Sequence, residues 1–151
     1  MEWKGKMRQK SLLNLFFLTG AILLLSFLFL STASYAGTLL SGEVTGILSI
    51  ESSPFLVTAE VYVPTGEALT IEPGVIISFE AGLRMDVWGT LNSIGTPEGI
   101  ITFTSAVSPA PGDWDRIRIR ETGSATVRYS RVEYSVYGLH NFSDSTVIEN
   151  C

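Results

Sequence analysis

Over residues 61–103 the chain sets short apolar runs between glycine or proline turns, and no helical period interrupts them. Turns stand at Pro64-Thr65-Gly66, Pro73-Gly74, Ala81-Gly82, Gly89 and Gly95-Thr96-Pro97-Glu98-Gly99. Gly66, Gly74, Gly82 and Gly89 follow one another at nearly even intervals. That beat is one strand plus one corner, repeated, and it predicts a coiled all-β wall.

Strands are predicted over residues 43–50 and 55–63, parted by Ser52-Ser53-Pro54, and over 68–71 and 75–79, parted by Glu72-Pro73-Gly74. Leu83, Met85, Val87, Gly89 and Leu91 then alternate with Arg84, Asp86, Trp88 and Thr90. A period of two marks a strand with one buried face. Residues 100–104 form a further strand. Residues 105–113, with Pro109, Pro111 and Gly112, read as a surface loop. Alternation returns at Arg116-Ile117-Arg118-Ile119-Arg120, apolar residues inward and arginines in solvent.

After Gly123 the phase slips. Val127 and Tyr129 share one face, but the next apolar pair is Val132 and Tyr134. A flat strand cannot slip by one without turning its core side to water, so a bend at Ser130-Arg131 is expected. Tyr129 and Tyr134 are then expected in the core. Ser124-x-x-Val127-x-Tyr129-Ser130 recurs as Ser145-x-x-Ile148-x-Asn150-Cys151, with Ile148 in the place of Val127. Three strands with corners need about the stretch of chain that separates those two residues, and an offset of that size is the mark of stacked repeats. Asn150 is expected at a corner or an inner slot. An antiparallel β-sandwich also has short strands and frequent turns, and it remains the alternative architecture.

The first 36 residues have the layout of a targeting segment. Lys4, Lys6, Arg8 and Lys10 form a positive start, residues 12–30 are apolar except for Asn14, Thr19 and Ser26, and Ser34-Tyr35-Ala36 offers a cleavage site. The segment is expected to form a signal helix, either cleaved before Gly37 or retained as a membrane anchor through residues 12–30. The location expected is secreted or cell-surface. Beyond Ala36 the charge comes from six arginines and fourteen acids, a net of −8, and no lysine occurs. That sign disfavours nucleic acid as a partner. Cys151 is the single cysteine, so no intramolecular disulfide is possible and packing must supply the stability.

Val63-Pro64-x-Gly66-x-x-Leu69-x-Ile71-x-Pro73-Gly74-Val75-x-Ile77-x-Phe79 resembles the entry coils of secreted right-handed parallel β-helix proteins. Val87-x-Gly89-x-Leu91, the run Ile100-Ile101-Thr102-Phe103-Thr104-Ser105 and the step Gly112-Asp113-Trp114 into Ile117-x-Ile119 are similar to the same group. So are Val127-x-Tyr129-Ser130-x-Val132-x-Tyr134 and Ile148-x-Asn150-Cys151. The resemblance implies capping strands over residues 37–56 and parallel coils over 57–151, cut short at the C-terminal end, with further coils of a longer chain as partner. The group includes pectate-lyase-like enzymes and adhesin-like surface proteins, so the resemblance carries architecture further than activity.

Candidate chemistry is sparse. No nucleophile, phosphate-loop or zinc motif stands out. His140 is the single histidine, in Gly138-Leu139-His140-Asn141-Phe142, remote in sequence from any Ser/Asp pair. Asp113, Trp114 and Asp115, ahead of Arg116, Arg118 and Arg120, set acids, a ring and cations near one strand. Such carboxylates are the type that holds Ca²⁺ or serves as an acid–base pair on polysaccharide-cleaving solenoids. The plainer role is turn chemistry at Gly112-Asp113 and a solubilising arginine row. No cofactor is expected beyond a possible Ca²⁺. Trp88 and Tyr137 are placed outward by alternation, where rings stack on sugars. Trp88, Asp113, Trp114, Asp115 and Tyr137 are therefore the candidate ligand-facing residues. The function expected is a structural or adhesive scaffold that binds carbohydrate or a surface polymer, with a polysaccharide lyase or glycoside hydrolase as the alternative.

Overall fold

A computed structural model describes residues 37–106 and 109–151. The targeting segment expected over residues 1–36 lies outside them. The strands are β1 (Thr38–Glu43), β2 (Gly46–Leu48), β3 (Phe55–Val63), β4 (Ala68–Ile71), β5 (Ile76–Phe79), β6 (Met85–Val87) and β7 (Thr90–Ile94). They continue with β8 (Ile101–Ser105), β9 (Ile117–Ile119), β10 (Ser124–Arg128), β11 (Ser130–Val132), β12 (Leu139–Asn141) and β13 (Thr146–Glu149). Among the described residues every strand pair is parallel. The antiparallel sandwich is thereby excluded.

The chain winds past three walls in each turn, as a solenoid does. The first wall is β2-β4-β7-β10-β13. The long β3 serves the other two, because Phe55 to Val57 pair with β5 and Val61 to Val63 pair with β6. The second wall continues from β5 through β8 to β11, and the third from β6 through β9 to β12. Val127 lies beside Ile148, so the repeat seen in the sequence is one turn. Turn length is not constant: Leu69 lies beside Leu91, whereas Leu91 lies beside Ala125, after a much longer stretch of chain. The longer turn contains the connection between β8 and β9.

Inward residues stack in columns from turn to turn. One column holds Val61, Met85, Ile117 and Leu139; another holds Phe55, Ile77, Phe103 and Val132. Most of these side chains are fully buried. Each contributes roughly 1.5–3 kcal/mol through lost apolar surface. Polar intrusions are paired: Ser93 and Ser130, both buried, face each other with 2.9 Å between hydroxyl oxygens.

The structure departs from the sequence reading where alternation runs through a corner. Residues 83–91 are not one strand; β6 ends at Val87 and β7 begins at Thr90. The corner is Gly89, where a Cβ would lie 2.2 Å from the Pro64 carbonyl oxygen and 2.3 Å from that of Glu67. Only glycine fits such a close approach. Residues 43–50 likewise divide, between β1 and β2, and β1 begins earlier, at Thr38. The expected bend after β10 is real and lies at Tyr129, whose φ is 45°. Tyr129 is consequently a half-buried corner residue rather than a core one, and Tyr134, with φ 63°, is exposed. Asn150, the repeat partner of Tyr129, also takes a left-handed φ of 55°, as a corner residue does.

Candidate functional site

The outer face of the third wall carries a group of ion-paired and stacked charged and aromatic side chains. Tyr62, Asp86, Arg118 and His140 occupy one row, each directly beside the next from turn to turn. Because side chains alternate along a strand, the residues two positions away share this outer face. Glu60, Arg84 and Arg116 stand on one side of the row. Trp88, Arg120 and Phe142 stand on the other, their amides continuing the ladder to Val63, Val87 and Ile119.

Asp86 is the hub. Its carboxylate accepts from Arg118 Nη2 at 2.8 Å and from Arg118 Nε, a bidentate pair, and from Arg84 Nε at 3.1 Å. Arg84 also reaches Glu60 at 2.9 Å. The Asp86 side chain is only 7% exposed, covered by the arginines that neutralise it. Burial by itself raises its pKa, but the hydrogen bonds and charges of Arg118 and Arg84 outweigh that and hold it below the ordinary carboxylate value. The same contact raises Arg118.

At the margin of this network Arg116 donates to Asp115 at 2.9 Å, and its guanidinium lies 4.0 Å from the centre of the Tyr137 ring. Arg116 Nη1 sits 2.8 Å from His140 Nδ1. Guanidinium only donates, so Nδ1 is the accepting nitrogen of this contact. The His140 ring packs against Phe142 with centres 4.4 Å apart.

Two hollows meet at Trp88. One, of about 320 Å³, is lined by Trp88, Arg118, Arg120, Glu121, Thr122 and Phe142. The other, of about 280 Å³, is lined by Tyr62, Pro64, Thr65 and Trp88. Tyr62 meets Trp88 edge to face, ring centres 6.0 Å apart, and the Arg120 guanidinium lies 5.2 Å from the Trp88 ring centre. The two hollows share Trp88; the one toward Tyr62 is apolar, and the one toward Phe142 carries Arg118 and Arg120.

Of the residues singled out by sequence, Trp88 lines both hollows, and Asp115 and Tyr137 flank the wall through Arg116. Asp113 is elsewhere: its Oδ2 accepts from the Ser105 hydroxyl and the Ala110 amide, each at 2.8 Å, which closes the loop before β9. Trp114 is not ligand-facing. It is fully buried, stacked on Phe79 at 4.2 Å, with its indole N–H donated to the Glu133 carbonyl at 2.8 Å. The stack on Phe79 and the partner for its N–H seat this ring in the core although it follows a turn. The arginine row also differs from expectation, being bound to carboxylates and rings rather than standing free in solvent. Asp113 and Asp115 do not converge on a shared site, and among the described residues no cluster of three metal-ligating side chains occurs.

Sequence reasoning missed Asp86 as the hub and Tyr62 as a lining residue of the apolar hollow. Both lie at outward positions of alternating strands, but their partners are found only once the turn lengths are known. Asp86 and Arg118 are neighbours in space yet distant in sequence, because the connection before β9 lengthens the turn between them.

No family model matches the chain, and no solved structure matches it. Among curated proteins, one described as Protein bark beetle, from Drosophila melanogaster, is 37% identical over 82 residues. The match covers 53% of this chain and 3% of that protein, so the chain corresponds to a small fraction of the relative's length.

Proposed function

We propose that this chain is an exported scaffold of the right-handed parallel β-helix kind, with a structural or adhesive role, that holds carbohydrate on the outer face of its third wall. The observation that carries the reading is the pair of hollows at Trp88, lined by rings from Tyr62, Trp88 and Phe142 and by the guanidinium of Arg120. Aromatic faces and forked donors are the two features sugar recognition uses, rings for the apolar face and planar donors for hydroxyls. Export is supported by the basic start, the apolar residues 12–30 and the small-residue site before Gly37.

Binding without turnover is favoured over catalysis. A glycoside hydrolase needs one carboxyl held above its ordinary pKa to protonate the leaving oxygen. Asp86, the acid at the centre of the wall, is shifted the opposite way and is engaged by Arg118 and Arg84. Glu60 and Asp115 are each paired to an arginine.

The test is an immobilised glycan panel probed with the protein and with Trp88→Ala and Phe142→Ala, alongside an assay for released reducing or unsaturated ends. Retention of at least one glycan, lost in both variants, is expected, with no release. Absence of binding to any glycan, or release of cleaved sugar, overturns the reading.

A further inference from the structure

We propose that the hollow between Trp88 and Phe142 selects sugars bearing an anionic substituent, a carboxylate or a sulfate ester, and that Arg120 receives it. The inference rests on the carbohydrate reading above and deepens it to a ligand class. Four of the six arginines beyond residue 36 stand on this one wall, and three of them are committed. Arg84 is bound to Glu60 and Asp86, Arg116 to Asp115 and His140, and Arg118 to both oxygens of Asp86. Arg120 is different. Its Nη1 approaches Asp86 Oδ1 only to 4.0 Å, beyond hydrogen-bond distance, and Asp86 is already engaged by two other guanidinium groups.

The Arg120 side chain is 37% exposed and lines the hollow. The Trp88 ring beneath it holds the guanidinium in place, so little side-chain freedom is lost when a ligand arrives. Its planar fork borders the hollow with no hydrogen-bond partner among the described residues, the arrangement that takes two oxygens of one anionic group. Phe142, 52% exposed and lining the same hollow, offers the apolar surface for the sugar ring. Glu121 lines the same hollow and opposes an anion there, so the Arg120 fork has to outweigh it. With Glu121 counted beside Glu60, Asp86 and Asp115, the wall's four arginines balance four acids, on a chain whose overall net charge is −5.

The experiment titrates the protein calorimetrically with three hexasaccharides on one β-1,4-glucan backbone: neutral, oxidised to the carboxylate at C6, and sulfated at C6. At least one anionic form is expected to bind about tenfold tighter than the neutral one, the scale of a charge-assisted pair on an exposed wall. The gap is expected to narrow as salt is raised, to close in Arg120→Gln, and to survive in part in Arg120→Lys, which keeps the charge and loses the fork. Which anionic form gains identifies the group. Equal affinity for all three, or a gap unchanged in Arg120→Gln, overturns the anion assignment and leaves the carbohydrate reading standing. Failure of all three to bind overturns the anion assignment, and the glycan panel then decides the broader reading by itself.

Discussion

Replacing Asp86 by asparagine keeps the shape of the hub and removes its charge, which isolates the electrostatic contribution of the third wall. The carboxylate is nearly enclosed and accepts from Arg118 on both oxygens and from Arg84 on one. An amide at that position accepts on one side only and turns an N–H₂ toward a guanidinium. Removing one partner of a fully buried pair costs about 3–5 kcal/mol. Arg118 is 22% exposed and Arg84 33%, so water recovers part of their solvation. About 2 kcal/mol is the expected loss at neutral pH. The pKa of Asp86 is depressed in the fold, so its contribution is fully present above the unfolded value of about 3.9 and is lost as pH falls through the folded value. Urea unfolding of both forms at pH 7 and in steps below pH 4 reads the difference directly. The gap is expected to be widest at pH 7 and to shrink below pH 4, as wild type becomes neutral at the same place. An Asn variant as stable as wild type at pH 7, or a gap that persists undiminished into acid, refutes the assignment of Asp86 as hub.

Other substitutions probe separate parts of the solenoid. Gly89→Ala forces a Cβ against the Pro64 and Glu67 carbonyl oxygens and is expected, in urea unfolding, to destabilise by about 3 kcal/mol or to prevent folding. Ser130→Ala leaves the buried Ser93 hydroxyl without its partner and is expected to cost about 1–3 kcal/mol in the same assay, whereas Ser93→Ala/Ser130→Ala together cost less than the two single losses added. Phe79→Ala removes the ring stacked on Trp114 and is expected to lose about 3–5 kcal/mol and to weaken the near-ultraviolet dichroism of the indole. Secretion of the whole chain followed by N-terminal sequencing is expected to give Gly37 as the first residue; a start at Met1 identifies an uncleaved anchor instead.

Much of the fold was legible because its signals are local. The even spacing of Gly66, Gly74, Gly82 and Gly89 reflects real corners, and the offset from Val127 to Ile148 is a real turn. What misled was phase. Across Gly89 the alternation of Leu83 to Leu91 continues unbroken, so two strands on different walls looked like one. Tyr129 and Tyr134 looked inward for the related reason that their left-handed backbone breaks the alternation on which the expectation relied. The site was less legible than the fold. Trp88 was visible as an outward ring, but its neighbours Tyr62, Arg120 and Phe142 come from three other turns. Their meeting depends on turn lengths, and the connection after β8 conceals the one that matters, the long turn from β6 to β9. Trp114 carried the opposite lesson: residues beside a turn are not thereby at the surface, and a large ring finds the core when a stacking partner and an acceptor for its N–H wait there.

The account stands or falls on successive turns lying side by side with their strands in one direction. Nuclear Overhauser contacts between backbone protons test this most directly, since adjacent strands lie about 4.8 Å apart. Contacts from Val127 to Ile148 and from Asp86 to Arg118, advancing together along both strands of each pair, are the predicted result. Contacts that advance along one strand while retreating along the other, or none between these pairs, contradict it.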